Sequence, residues 1–379
     1  MNVRANVSAI IQGEQGVEGL HHRTPRHGLI DLERKEQADM SDSRSGKSAT
    51  LADVARLAGV SAMTVSRVLN DRGNVSDPTR LRVQRAMEQV RYRPNVMARS
   101  LSLGRSQTMG VVTYDTAQYG PGSAVLGIER AARARGYGVT ITALERPDHD
   151  ALRSAVLSLG DRMVDGIVVI APFAAMAGAL RDLGRGTPVV AAEAAYQGEV
   201  PIVGIDQGLG ARLATRHLLE LGHRTVHHIA GPVEWIESRL RSDGWRAELA
   251  DAGANVPAPL GGDWTSRAGY DAGMRLANDT SVTAVFVAND QMGLGLLHAL
   301  HERGVRVPQD ISVVGFDDTP ESAYFLPALS TVRQDFAQLG EVCVKLLDRL
   351  VTDDDFVADD KLLIPPSLVV RASSGPAPF

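Results

Sequence analysis

From residue 109 onward, short continuous apolar runs alternate with amphipathic stretches, and the alternation occurs twice. The first round places apolar or β-branched runs at 109–113, 139–143, 166–170, 188–191 and 202–205, with helical periodicity near 123–135, 149–161 and 174–184. The second places runs at 226–230, 284–288 and 311–316, with helices near 208–221, 235–252, 266–278 and 291–303. A strand that is apolar at every position must be buried on both faces. Such strands alternating with helices therefore give parallel sheets covered on each side. Two rounds predict two doubly wound lobes, and a late helix over 336–350 returns the chain to the first. Lobe 1 is expected over about 108–204 and 332–354, lobe 2 over about 205–331 and 355–372, with a tail at 373–379. Ligands of such sheets sit beyond the carboxyl ends of the strands, so the expected site is a cleft between the lobes.

A different pattern precedes this core. Residues 50–70 read TLADVARLAGVSAMTVSRVLN, two short helices and a tight turn. Thr50 and Asp53 have capping-box spacing, Gly59 supplies a left-handed stop, and Ser61 caps the second helix. Val54, Ala55, Ala58, Val65, Val68 and Leu69 form the buried side, which leaves Ala62, Met63, Ser66 and Arg67 facing outward. This is a helix-turn-helix, whose second helix enters the DNA major groove. A third helix follows, capped by Ser76 with Pro78 in its first turn. Its apolar face is Val83, Ala86, Met87 and Val90. The headpiece thus spans 47–93, all α. Residues 94–107 form a linker whose 96–101 stretch is one or two helical turns, too short to be stable alone. Residues 1–46 are polar and aperiodic, a disordered arm or an extension ahead of a natural start at Met40.

Charge separates the two parts. The whole chain carries net −5, yet residues 47–107 hold seven more basic than acidic side chains. A basic module on an acidic body is the footprint of a nucleic-acid binder. The single cysteine, Cys343, rules out an internal disulfide and fits a reducing cytoplasm beside the nucleoid. No apolar run is long enough to span a bilayer. His21, His22 and His27 find no matching ligand set, so neither metal nor cofactor is expected. No Walker loop, GxSxG elbow or HExxH occurs, and the glycine-rich 204–210 segment lacks dinucleotide-binding spacing. An enzyme is therefore not expected.

The segments YRPN (92–95) and ARSL (98–101), with Val75-Ser76 and the 50–70 pair, resemble the headpiece and hinge of the LacI family of regulators. The body is similar too, at Ala230-Gly231-Pro232, Arg239-Leu240-Arg241 with Gly244-Trp245, Gly262-Asp263-Trp264, VANDQM (287–292), DISVVGFDDT (310–319) and Gln334-Asp335-Phe336. Within the family the body resembles the type member more closely than it does most others. The resemblance covers about 48–372 and implies a periplasmic-binding-protein-like core. It also implies a homodimer that reads a near-palindromic operator and responds to a small molecule.

By resemblance, Ala62 and Met63 fall at base-reading positions. Both are apolar here, able to touch thymine methyls but not to form bidentate hydrogen bonds. Arg67 remains suited to guanine or phosphate. Thr50, Ser61, Thr64, Ser66 and Asn70 read as phosphate or capping groups. Asn95, Ala98 and Leu101 belong to the hinge that enters the minor groove, Leu101 as the wedge between base pairs. In the cleft, Arg241, Asn289 and Asp317 match groups that hold effector hydroxyls, and Trp264 matches the aromatic under the sugar ring. Gln334 and Phe336 match lining residues. Glu193 replaces a shorter acid, Tyr114 a serine, Gln118 a leucine, Ile205 a phenylalanine and Glu237 a serine. The implied function is a repressor of sugar-utilisation genes released by a galactoside-like or other oligosaccharide. The alternatives are a co-repressor type responding to a purine or phosphosugar, and a sugar-binding protein without a DNA role. After residue 371 no leucine heptads follow, so the expected assembly is a dimer and not a tetramer.

Overall fold

The computed structural model describes residues 49–69, 73, 75–92, 105–173, 176, 179–180, 186–193, 200–353, 356 and 361–378. The expected arm at 1–46 and most of the linker at 94–107 lie outside the described residues. The chain divides into two compact units, Met1–Asn95 and Val96–Phe379.

The smaller unit contains helices α1 (Leu51–Ala58), α2 (Ala62–Leu69) and α3 (Asp77–Gln89). Val54, Val65 and Val83, one from each helix, are fully buried together, with Ala55, Ala58, Val68 and Ala86 around them. Leu69, expected inside, is only half-buried at the edge of this core. Alanines at 55 and 58 leave room for close helix crossing. Gly59 takes the left-handed stop, φ +64°, and its N–H returns to the carbonyl of Arg56. One cap differs from expectation. The Ser76 hydroxyl does not bond a backbone N–H of α3; it pairs with the Thr79 hydroxyl at 3.0 Å.

The larger unit has two six-stranded sheets. The first comprises β1 (Thr108–Tyr114), β2 (Gly138–Leu144), β3 (Gly166–Ile170), β4 (Val189–Ala192), β5 (Ile202–Ile205) and β11 (Lys361–Ile364). Its order is β11-β5-β4-β3-β1-β2, every pair parallel. The second comprises β6 (His227–Ala230), β7 (Leu260–Gly261), β8 (Ala284–Val287), β9 (Ser312–Asp317), β10 (Ser330–Arg333) and β12 (Ser367–Val369). Its order is β12-β10-β9-β8-β6-β7, with only β12 antiparallel.

Successive side chains of a strand point to opposite faces, so each sheet builds two cores. In β3, Ile167 and Val169 pack under helix α5 (His149–Asp161), whereas Val168 and Ile170 pack under α4 (Tyr119–Ala134) and α10 (Phe336–Thr352). In β8, Val285 and Val287 face α8 (Ser266–Leu276) and α9 (Asp290–Glu302). Ala284 and Phe286 face α6 (Gln207–Glu220) and α7 (Ile236–Asp251). The two apolar rounds of the sequence are thus the two lobes.

Two expectations for the C-terminal region fail. Lys361–Ile364, expected in lobe 2, pairs with β5 in lobe 1. The four residues are too few to signal which sheet edge accepts them, and the register with β5 decides. The segment expected as a tail, 373–379, is held to lobe 2 through its described residues. The buried Ser373 hydroxyl donates to the Val313 carbonyl and accepts from the Ser330 N–H, and the Ala377 N–H bonds the Leu221 carbonyl. The chain therefore passes between the lobes at three places: after β5, after β10 and after β11.

Helices α4 and α10 cross on glycine. A Cβ at Gly340 would sit on the carbonyl carbon of Gly127, and one at Gly127 would sit on the carbonyl of Phe336. Replacing Gly340 by alanine gains about 1 kcal/mol of helix propensity. The added methyl meets backbone, however, which cannot rotate away, and such overpacking costs about 1–3 kcal/mol. Packing should win: Gly340→Ala is expected to lower the thermal midpoint followed by circular dichroism, and an unchanged or raised midpoint would show that the helices can separate freely.

Candidate functional site

In the headpiece, both halves of the capping box form. The Asp53 N–H donates to the Thr50 hydroxyl oxygen at 3.3 Å, and the Thr50 N–H and O–H donate to Asp53 at 3.0 and 2.7 Å. Those bonds hold the exposed Asp53 carboxyl below its usual range. At the start of α2 the Ser61 hydroxyl accepts the Thr64 N–H at 3.1 Å and pairs with the Thr64 hydroxyl at 2.9 Å. Val65 and Val68 turn inward, which leaves Ser61, Ala62, Met63 and Arg67 exposed, with Thr64 and Ser66 half-buried. Met63 is 64% exposed, unusual for a large apolar side chain with a core beside it. The outward face of α2 is therefore the one expected. Asn70, Asn95, Ala98 and Leu101 lie outside the described residues.

In the larger unit a cavity of about 520 Å³, its mouth included, opens between the two lobes. Its walls come from the carboxyl ends of strands in both sheets. Glu193 follows β4, Asn289 follows β8, Asp317 ends β9 and Gln334 follows β10. Glu237 and Arg241 lie in the opening turns of α7, after β6.

Arg241 lies at the centre. It is only 5% exposed. Its Nε donates to Gln207 Oε1 at 2.9 Å, its Nη1 donates to the Ala288 carbonyl, and its Nη2 lies 3.5 Å from Asp317 Oδ1. The guanidinium also covers the Phe316 ring at 3.9 Å and stands 5.5 Å from the Trp264 ring centre. A buried cation needs this many partners, because desolvation alone would exclude it. Gln207 then donates to Gln334 at 2.8 Å and to Glu193 at 3.3 Å, and Gln334 donates to Asp317 at 2.7 Å. Gln207 and Gln334 stand on two of the passes between lobes, so this network stitches the crossings together. Asn289 caps α9 by accepting the Met292 N–H, and its amide donates to the Trp264 carbonyl at 3.1 Å.

The buried acids keep their protons unusually well. Burial pushes Glu193 up to about 7 despite the Ile205 N–H and Arg241. Burial likewise pushes Asp317 up to about 7, outweighing its attraction to Arg241, whose Nη2 stands 3.5 Å from Asp317 Oδ1. Glu237 is raised well above its ordinary value by burial and then by the charge of Glu193. Backbone geometry is also unusual here. Glu193, Trp264 and Asp317 all have positive φ, +53°, +74° and +107°. Side chains rarely adopt such angles, and each costs about 1–3 kcal/mol. Asp318, next in line at φ +53°, is anchored by Arg333 and Arg371, each 2.6 Å from its carboxylate.

Nine of the eleven expected effector residues line the cavity: Gln118, Glu193, Glu237, Arg241, Trp264, Asn289, Asp317, Gln334 and Phe336. Tyr114 and Ile205 do not. Tyr114 shares a face of β1 with Val112 and packs edge-on against Phe173, ring centres 5.1 Å apart, on the side of the sheet away from Ile170 and Phe336. Ile205 is buried in the core beneath α4 and α10; only its N–H reaches the site, donating to Glu193 Oε1 at 3.1 Å. The sequence reading also missed Gln207, Tyr119 and Trp235. Each directly follows a strand's end or opens a helix, a position that could have marked them.

Two family models match this chain: bacterial regulatory proteins of the lacI family over residues 50–95, and a periplasmic binding protein-like domain over residues 215–374. The lactose operon repressor of Escherichia coli (strain K12) is 37% identical over 330 residues, which cover 86% of this chain and 91% of that repressor. The ribose operon repressor of the same organism is 33% identical over 336 residues, 86% of this chain and 100% of that protein. The crystal structure of the lac repressor dimer bound to operator and the anti-inducer ONPF superposes with TM-score 0.78 at 36% identity, covering 87% of this chain and 100% of that one.

The raised acids make stability depend on pH. Glu193 and Asp317 hold protons in the fold up to about pH 7. The unfolded chain releases them near pH 4 (roughly the free-carboxyl value). Their contribution is therefore full below that pH and is lost as pH rises towards 7. In calorimetry, Glu193→Gln should flatten the fall in melting temperature between pH 5 and pH 7.5 relative to the parent; an equal slope would place the Glu193 proton elsewhere.

Proposed function

Because the chain belongs to the lacI family of bacterial regulatory proteins, we propose that it represses sugar-utilisation genes and leaves its operator when a sugar fills the cavity between the lobes. The observation that carries this reading is the floor of that cavity. Trp264 offers an indole with an unpartnered Nε1, beside Arg241, Asn289 and Asp317. An indole covers the C–H face of a sugar ring, while a guanidinium and carboxyls take pairs of hydroxyls in a water-poor site. Binding, and not turnover, is the chemistry of this set.

DNA reading falls to α2. Met63 and Ala62 present methyl-bearing surface to thymine, and Arg67 is the polar group positioned on the same exposed face. The caps at Thr50 and Ser61 aim helix N-termini at phosphate. With so few polar groups on that face, DNA shape and backbone contacts carry much of the selectivity. The protein works as a homodimer, as the operator-bound lac repressor does. Tyr324 and Leu326, 85% and 91% exposed on lobe 2, suit cover by a second copy. The site of action is then the cytoplasm, at the nucleoid.

Coupling follows from where the cavity lies. A ligand that changes lobe spacing acts on the Gln207–Gln334 pair at the crossings, and through lobe 1 on the segment leading to the headpiece. Linkage then requires operator to weaken sugar binding by the factor with which sugar weakens operator binding, about 5–150-fold. Calorimetric titration of candidate oligosaccharides, with and without the footprinted operator, tests this. Equal sugar affinity in both states would sink the induced-repressor reading, and tighter sugar or purine binding on operator would mark a co-repressor.

Operator affinity should fall with salt by roughly 0.9 log units per log unit for each phosphate neutralised. Leu101→Ala should weaken binding to the specific site far more than to random duplex in fluorescence anisotropy. Equal losses would remove the wedge role from Leu101.

A further inference from the structure

The cavity holds more acid than a neutral sugar needs. Glu193, Glu237 and Asp317 all line it, against one cation, Arg241, among the lining residues. That cation is committed to Gln207, the Ala288 carbonyl and Asp317. The oxygens of Glu193 are also engaged, one by the Ile205 N–H at 3.1 Å and the other by the Gln207 amide at 3.3 Å. Asp317 accepts from Gln334 at 2.7 Å.

Glu237 is the exception. It stands in the first turn of α7, 9% exposed, and its Oε2 is buried with no hydrogen-bond partner. A carboxyl taken from water without a donor is costly, and a second acid nearby makes it costlier. Burial and the charge of Glu193 raise its proton affinity accordingly. The wall beside it is aromatic. Trp235 and Trp264 meet edge to face with centres 5.7 Å apart, and both line the cavity. Ring faces at such a site favour a cation. A hydroxyl would supply Glu237 with a donor only. An ammonium supplies a donor and also a positive charge against which Glu237 can release its proton and bind as a carboxylate.

We propose that the effector is a cationic polyol, an amino sugar or polyhydroxylated amine, whose ammonium group is held by the Glu237 carboxylate. This rests on reading the cavity as the effector site, and it names the chemical class that site selects. Arg241, Asn289 and Asp317 hold the hydroxyls, Trp264 covers the ring, and Glu237 reads the charge. A side chain with no charge at position 237 would lose that discrimination without losing the rest of the cradle.

The test uses the full chain and ligand pairs that differ by ammonium against hydroxyl: glucosamine with glucose, galactosamine with galactose, and the β-linked glucosamine disaccharide with cellobiose. Titration calorimetry at pH 7 should find a pair in which the amine binds about tenfold or more tightly than its hydroxyl partner, the scale of a hydrogen bond to a charged group. Glu237→Gln should erase that ratio, and Glu237→Asp should keep most of it. If no pair shows an amine preference while neutral sugars bind, the proposal is overturned and the sugar-effector reading stands. An amine preference that survives Glu237→Gln also overturns it. Failure of every sugar and amine to bind overturns both.

Discussion

A guanidinium buried between two lobes has few ways to exist. Arg241 exists there because five groups from four segments of the chain converge on it: Gln207, the Ala288 carbonyl, Asp317 and the Phe316 ring of β9, and the Trp264 ring. Removing one partner of such an ion pair leaves the other charge uncompensated in a poor solvent, which is costlier than never having buried the pair. The network therefore constrains the second lobe's strand ends and the crossings at Gln207 and Gln334 at the same time. The cavity is the space those constraints leave.

The same constraint explains where the backbone is unusual. Glu193, Trp264 and Asp317 hold positive φ at the rim of the cavity, where a residue must aim its side chain across the end of a strand. Close packing behind the rim absorbs the cost. The Trp264 ring lies where a Cβ of Gly231 would be, and Gly244 meets the backbone of Gly208 where α6 and α7 cross. Asp290, fully buried behind the site, accepts from the Thr319 N–H and from the hydroxyls of Ser322 and Thr331. Burial raises it to about 6 even so. It holds the turn after β9 that presents Asp317.

Much of this was legible in the residues. The alternation of fully apolar runs with amphipathic stretches requires buried parallel strands, and the two lobes followed. Capping chemistry placed α1 and α2, and the outward face of α2 followed from the inward valines. The long motifs around Arg241, Trp264, Asn289 and Asp317 located most of the cavity. Short, weakly apolar segments were different. Leu260–Gly261, Ser330–Arg333, Lys361–Ile364 and Ser367–Val369 were not expected as strands. They are edge or near-edge pieces, and the last two pair only after the chain has crossed between lobes: Lys361–Ile364 with Ile202–Ile205, and Ser367–Val369 with β10.

Local pattern decides the period of a segment, its caps and which side chains turn inward, because those depend on neighbours within a few residues. The sequence by itself therefore determined the headpiece, the two-lobe architecture, and the kinds of group gathered at strand ends. Only the tertiary structure decided that Tyr114 packs on Phe173 outside the cavity lining, that Ile205 contributes its N–H and not its side chain, and that Gln207 joins Arg241 to Gln334. It also decided that Glu237 Oε2 lies buried without a donor, in a cavity lined by two other acids. Those facts depend on the distances between side chains brought from separate strands and helices, and no spacing along the chain encodes a distance across a fold.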